Sequence, residues 1–182
     1  MRPRTVAEYV LVAIGAVVVA LLLQAYIVKP YRIPSESMAA TLVPHDRVLV
    51  NRVAYRLHEP RRGDVVVFDC PALGRVLIKR VVGLPGDVVS VAGGHVYVNG
   101  ERLHEPYVRR IDGRPEPTEP FRGTGQPWAL VKPYRVPDGH YFLMGDNRTV
   151  SDDSRDWGPA ARRDIIGEAF VTYWPLSRLH TL

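Results

Sequence analysis

The 182-residue chain has a single cysteine, Cys70, so no disulfide can form within it and any stability must come from ordinary packing. Its six histidines, His45, His58, His95, His104, His140 and His180, are scattered without the short spacing that aims two imidazoles at one metal, and no metal or cofactor site is expected. There is no internal repeat and no low-complexity tract. A long basic block is also missing. The net charge of +5 is spread over short pairs such as Arg61-Arg62, Arg109-Arg110 and Arg162-Arg163, which argues against nucleic acid as a partner and for attraction to anionic phospholipid headgroups. The acidic segment Gly145–Gly158 does not fit a calcium loop. Counting from Asp146 puts Arg148 and Val150 at ligand positions, and counting from Asp152 puts Trp157 where a glycine is required.

One long hydrophobic run is present. Tyr9 to Val28 reads YVLVAIGAVVVALLLQAYIV, without a charge, and about 20 such residues suffice to cross a bilayer core. Valine and leucine on every side leave no polar face for a buried amphipathic helix. The run is too long for the core of a cleaved secretory signal, and LLLQAYIVKP has no clean cleavage site. The expectation is a short tail (1–8), a single transmembrane helix (9–28) and one globular domain (29–182). Arg2 and Arg4 before the helix and Lys29 and Arg32 behind it leave its orientation open on charge alone.

Beyond the helix, DRVLVNRV, GDVVVF, RVLIKRVVGLPGDVVSV, HVYVNG, HYFLMGD and IIGEAFVTYW are short apolar runs punctuated by glycine and proline, the pattern of a mainly β fold. VVSVAGGHVYVNG predicts a hairpin turning at Gly93-Gly94, its second strand ending at Asn99-Gly100. From about 105 to 137, prolines at 106, 115, 117, 120, 127 and 133 predict a surface excursion carrying short strands near Tyr107 and Trp128.

Three segments carry candidate chemistry. In IPSESMAATL, Ser35 and Ser37 follow Pro34, and one hydroxyl could attack a carbonyl while its neighbour polarises it; equally, both could satisfy turn amides. In LIKRV, two-residue alternation puts Leu77, Lys79 and Val81 on one face and Ile78, Arg80 and Val82 on the other. An ordinary lysine with pKa near 10.4 is almost wholly protonated at neutral pH, and lowering it by about 3 units costs about 4 kcal/mol. An apolar strand face can impose that cost, making Lys79 a proton acceptor for a serine without histidine or aspartate. A lysine snorkelling from a strand edge is the alternative. The third segment, GDNRTVSDDSRDWG, reads as a dense hydrogen-bonded loop that either braces a site or forms a solvated turn network.

Taken in order, SMAATL (37–42), GDVVVF (63–68), KRVVGLPGD (79–87) and GDNRTVSDDSRDWG (145–158) resemble blocks of the bacterial type I signal peptidases, membrane-anchored serine/lysine proteases. The resemblance implies an endopeptidase that removes N-terminal signal peptides from exported preproteins with small residues before the cleavage site, at the outer face of the cytoplasmic membrane. It implies a single-pass protein with its catalytic domain extracytoplasmic, no cofactor, and a largely antiparallel β fold that takes its substrate as an added strand. By the same resemblance Ser37 is the nucleophile and Lys79 the general base, Ser35 and the Ser37 amide form the oxyanion hole, Ser151 positions the lysine, and Asp153 and Arg155 support the loop. Ile33, Pro34, Met38, Leu42, Leu77 and Ile78 form the substrate pocket. Ala40 departs from the pattern, standing where proline is usual, which implies a less constrained loop. A soluble self-cleaving repressor-type protease shares the catalytic pair but lacks the anchor. A catalytically silent, membrane-anchored β module that binds extended peptides is the reading from another class, and retention of both Ser37 and Lys79 argues against it.

Overall fold

The computed structural model describes residues 5–121 and 125–182, with the side chains at 7 and 22–25 outside the described set. Arg2 and Arg4, the basic residues of the expected tail, lie outside it as well. The chain opens with helix α1 (Val6–Tyr26) and enters β1 (Val28–Arg32) almost at once. There follow β2 (Arg47–Asn51), a helical turn α2 (Ala54–Leu57), β3 (Val65–Cys70) and β4 (Arg75–Gly83). Next come β5 (Val88–Ala92), β6 (His95–Val98), β7 (Glu101–Arg102), β8 (Arg110–Ile111), β9 (Arg114–Pro115) and β10 (Tyr134–Arg135). The chain closes through β11 (His140–Met144), α3 (Ser154–Trp157), β12 (Ala160–Ala161), β13 (Ile165–Trp174) and β14 (His180–Thr181). Described helical residues such as Leu11, Ile14, Val17 and Leu21 are all more than half exposed, so among the described residues α1 buries no large apolar side chain against the body. Among the described residues no helix is long and apolar enough to cross a membrane.

The expected β architecture is present. The main sheet runs β1-β2-β13-β3-β4-β11-β12, with β14 added to β13, and its described pairings are antiparallel. A second sheet runs β10-β5-β6-β7. The predicted hairpin pairs Ala92 with His95 across Gly93 (φ +55°) and Gly94 (φ +78°), two consecutive left-handed residues of the kind that match the twist of a two-residue turn. Valines and Phe68 of β3 divide between the sheet faces. Val66 and Phe68 pack with Val81 and Leu77 on one side, while Val65 and Val67 pack with Ile78, Ile33, Met38 and Leu42 on the other. The alternation read along β4 is therefore the alternation seen.

The proline-rich stretch carries the short strands β8, β9 and β10. Tyr107 lies in a turn and Trp128 in a 3₁₀ turn (Pro127–Ala129), with Pro127 where its missing N–H costs nothing. Part of the stretch packs inward: Val108, Glu116, Thr118, Ala129, Leu130 and Val136 are buried, and Leu130 and Val136 join the apolar cluster of the small sheet's valines.

Candidate active site

Ser37 stands on a loop whose neck and wall are both fixed. At the neck, Ile33 N donates to Asp46 O (2.9 Å) and His45 N to Ile33 O (3.0 Å). Beyond Ser37 the loop closes as a turn, with Ala39 N donating to Glu36 O and Leu42 N to Met38 O, both at 2.8 Å. Met38 and Leu42 are fully buried in the cluster that holds Ile33, Val67 and Ile78, so two apolar anchors frame a serine that is itself 8% exposed. Ser35 Oγ, at the more open edge, lies 3.4 Å from Ser37 Oγ. Among the described residues no backbone carbonyl accepts from the Ser37 amide.

The strand register brings the lysine to this serine. In β4, Lys79 pairs with Val66 of β3 and is 3% exposed. Its Nζ lies 2.7 Å from Ser37 Oγ, across 42 residues of sequence. Burial lowers the Lys79 pKa to about 8; the charges of Asp153, Asp152 and Asp146 oppose the shift and that of Arg75 adds to it. About a tenth of such amines are neutral at pH 7, against fewer than about one in a thousand for an ordinary lysine. A neutral amine within hydrogen-bond reach of a hydroxyl is the arrangement a general base requires.

The loop after β11 packs behind this pair. Asp153, with no exposed surface, accepts from Arg155 Nε and Nη2 (both 2.8 Å) and from Gly145 N (3.1 Å). Burial alone would raise the Asp153 carboxyl, but the Arg155 charge and hydrogen bonds hold it below its ordinary value. Arg155 in turn donates to Arg148 O and Glu119 O, tying the loop to the proline-rich segment. Ser151 Oγ is buried close by but makes no hydrogen bond, so its expected contact with Lys79 is not formed in this state.

Several site residues went unassigned in the sequence. A Cβ on Gly145 would lie 2.2 Å from Ser151 Oγ and 2.4 Å from Ser37 O, so only glycine lets the loop approach the serine this closely. Asn147 reaches the loop twice, N to Ser37 O and Nδ2 to Glu36 O, each at 3.1 Å. Arg80 donates Nε to Asp146 Oδ1 (2.9 Å) and Nη2 to Oδ2 (2.7 Å), Thr41 Oγ1 donates to Asp146 Oδ2 at 2.5 Å, and the guanidinium lies 4.1 Å from the centre of the Tyr107 ring. The available signal was weak: a glycine directly after an apolar strand, and a second basic residue beside Lys79.

A cavity of about 120 Å³ adjoins the pair. Ile33, Pro34, Leu77 and Ile78 line it together with Ser35, Ser37 and Lys79, whereas Met38 and Leu42 stand behind that wall in the core. β3 pairs β4 from Arg75 to Arg80, but β11 pairs β4 only from Arg80 to Gly83, so among the described residues no strand pairs the other edge of Val76–Lys79 beside the cavity. A larger cavity of about 430 Å³ lies between the second sheet and the β8–β9 hairpin near His95, His104 and Glu116. It contains no hydroxyl paired with an amine, so chemistry and not volume selects the smaller one. Among the described residues no three His, Cys, Asp or Glu side chains gather as metal ligands.

The family model described as "Signal peptidase, peptidase S26" matches residues 6–174. The chain is similar to a signal peptidase I of Leptolyngbya laminosa, 39% identical over 175 residues that cover 92% of this chain and 79% of that one. It is 35% identical over 178 residues to signal peptidase IB of Staphylococcus aureus (strain COL), covering 96% and 92%. With signal peptidase I S of Bacillus subtilis (strain 168) it shares 34% identity over 185 residues, covering 98% and 94%.

Proposed function

The chain belongs to the signal peptidase family, peptidase S26, and on that premise we propose that Ser37 is its nucleophile and Lys79 its general base. The enzyme is a serine endopeptidase that removes signal peptides from preproteins. The buried 2.7 Å approach of Lys79 Nζ to Ser37 Oγ carries the assignment of roles.

In the first step the neutral amine takes the Ser37 hydroxyl proton as Oγ attacks the scissile carbonyl carbon. The developing oxyanion is held by the Ser37 amide, free of described backbone acceptors, and by the Ser35 hydroxyl 3.4 Å from Oγ. Lys79, now an ammonium ion, returns its proton to the departing amine, leaving the signal peptide as an acyl ester on Ser37. Water then gives a proton to Lys79 and attacks the ester, and the protonated amine restores the serine hydroxyl. To Ser151, whose Oγ is buried without a partner in this state, we assign the role of holding the amine as it changes protonation state, and Asp153 and Arg155 keep that loop in place.

The substrate lies extended along the free edge of Val76–Lys79, its backbone paired and alternate side chains directed at the cavity. Ile33, Pro34, Leu77 and Ile78 crowd the residue before the scissile bond, and Met38 and Leu42 prevent that wall from yielding. This favours alanine-sized side chains.

The 21 residues of α1 extend about 31 Å at 1.5 Å per residue, and among the described ones apolar side chains such as Leu11, Ile14, Val17 and Leu21 are more than half exposed. We read α1 as a single-pass anchor in the cytoplasmic membrane, with the tail (1–8) cytoplasmic and the domain from residue 29 outside. Only one residue separates α1 from β1, which holds the sheet close to the phospholipid surface. Cleavage of a preprotein with small residues at its processing site by detergent-solubilised wild type and Ser37→Ala tests the reading. Wild type alone should release the mature protein with its amino terminus at that site. Equal cleavage by both proteins would refute Ser37.

A further inference from the structure

We propose that Arg178, on the C-terminal 3₁₀ turn Leu176–Arg178, is a positioning residue for the Ser37 loop. The turn lies beyond residues 6–174 that match the family, and the inference rests on the reading of Ser37 as nucleophile. Arg178 Nε donates to both oxygens of the buried Asp46 carboxylate (3.0 and 3.2 Å), while Nη2 donates to Asp46 Oδ2 (3.1 Å) and to Thr41 O (3.3 Å). Asp46 Oδ2 also accepts from Val43 N at 3.0 Å, and its carbonyl closes the loop neck with Ile33. One guanidinium thus spans the neck and the far limb of the loop that presents Ser37. The Thr41 hydroxyl is held on the other side by Asp146 and Arg80, so the residue is gripped at both its carbonyl and its side chain.

The grip coincides with strain. Ala40, the residue just before Thr41, has φ +90°, a region disfavoured for any residue with a Cβ and forbidden to proline, whose ring fixes φ near −65°. The alanine that replaces the usual proline therefore does more than loosen the loop: it allows a backbone path proline cannot follow. Such a conformation persists only where surrounding contacts over-determine it, and the Arg178 bond to Thr41 O is immediately adjacent. Glycine at 40 would adopt the same path without that help. Lysine at 178 would keep the charge opposite Asp46 but has no planar fork to hold Asp46 and Thr41 O together.

The test uses the full chain in detergent with a signal-peptide substrate, reading kcat, KM and the unfolding midpoint. Arg178→Ala and Arg178→Lys should lower kcat by about ten- to hundredfold, as expected for a displaced nucleophile, with KM changed by less than about twofold. Ala40→Gly added to Arg178→Ala should recover most of the lost kcat, an effect that general destabilisation would not produce. If Arg178→Ala folds poorly, Arg178→Lys decides the question. Wild-type kcat in Arg178→Lys, or no recovery on adding Ala40→Gly, overturns the clamp. Cleavage by Ser37→Ala at the wild-type rate would instead overturn the underlying assignment of the nucleophile.

Discussion

The two faces of β4 treat neighbouring cations in opposite ways. Lys79 and Arg80 are adjacent and both buried, at 3% and 7% exposure, but only Arg80 faces a carboxylate matched to its geometry. The fork of Arg80 is closed by Asp146, Gly63 O and Thr41, so the side chain acts as a cross-link. Lys79 has a serine hydroxyl as its direct partner, and the acidic residues around it offset only part of the burial cost. The lesson is that burial of a cation alone specifies nothing; what the cation faces decides whether it becomes a scaffold or a base.

The largest effects should come from the Lys79 face. Lys79→Met is expected to abolish measurable cleavage, a loss of about 10⁴-fold or more, while raising stability by about 3 kcal/mol at neutral pH because a cation no longer has to be desolvated. The sign follows from the folded pKa of about 8 lying below the unfolded value: between about 8 and 10.5 the unfolded chain binds more protons, so wild-type stability rises with pH through that window. The stability gap between Lys79→Met and wild type should therefore close as pH approaches 10.5, and wild-type kcat/KM should rise with pH through about 8. Denaturant unfolding at several pH values, with a pH–rate profile, checks both; a gap independent of pH would show that Lys79 is not buried as a neutral amine.

On the opposite face the sign reverses. Arg80→Met strands the Asp146 carboxylate without its guanidinium and should cost about 3–5 kcal/mol in urea unfolding, with activity falling as the Thr41 contacts loosen. A neutral outcome would mean that the two faces do not differ in kind. The smallest effect sharpens the comparison further. Ser151→Ala removes a hydroxyl that has no partner in this state, so stability should stay within about 0.5 kcal/mol of wild type. If that hydroxyl holds the amine during turnover, kcat should fall by about ten- to hundredfold with KM little changed.

Much of this was legible along the chain because its signals are local. Alternation in Arg75–Gly83 gave the strand and the opposite faces of Lys79 and Arg80, Gly93-Gly94 gave the hairpin, and Ser37 and Lys79 could be nominated from their surroundings and from family resemblance. What stayed hidden has its partners far away in sequence. Gly145 looked like an ordinary loop glycine until the backbone at Ser37 was found against it, and Arg80 gave no hint of a carboxylate 66 residues on. Arg178 reaches Asp46 across 132 residues, which no local pattern encodes.

The sequence by itself determined the strand periodicity, the apolar helix and the residue types able to form a serine–lysine pair, because each depends on the order of neighbouring side chains. Only the tertiary structure decided that Nζ meets Oγ at 2.7 Å in a nearly dry site, that Ala40 takes a path closed to proline, and that the last residues grip the Ser37 loop. Burial and hydrogen-bond partners are properties of elements brought together from distant parts of the chain, so the reactivity of Lys79 exists only once β3, β4 and the two loops have closed around it.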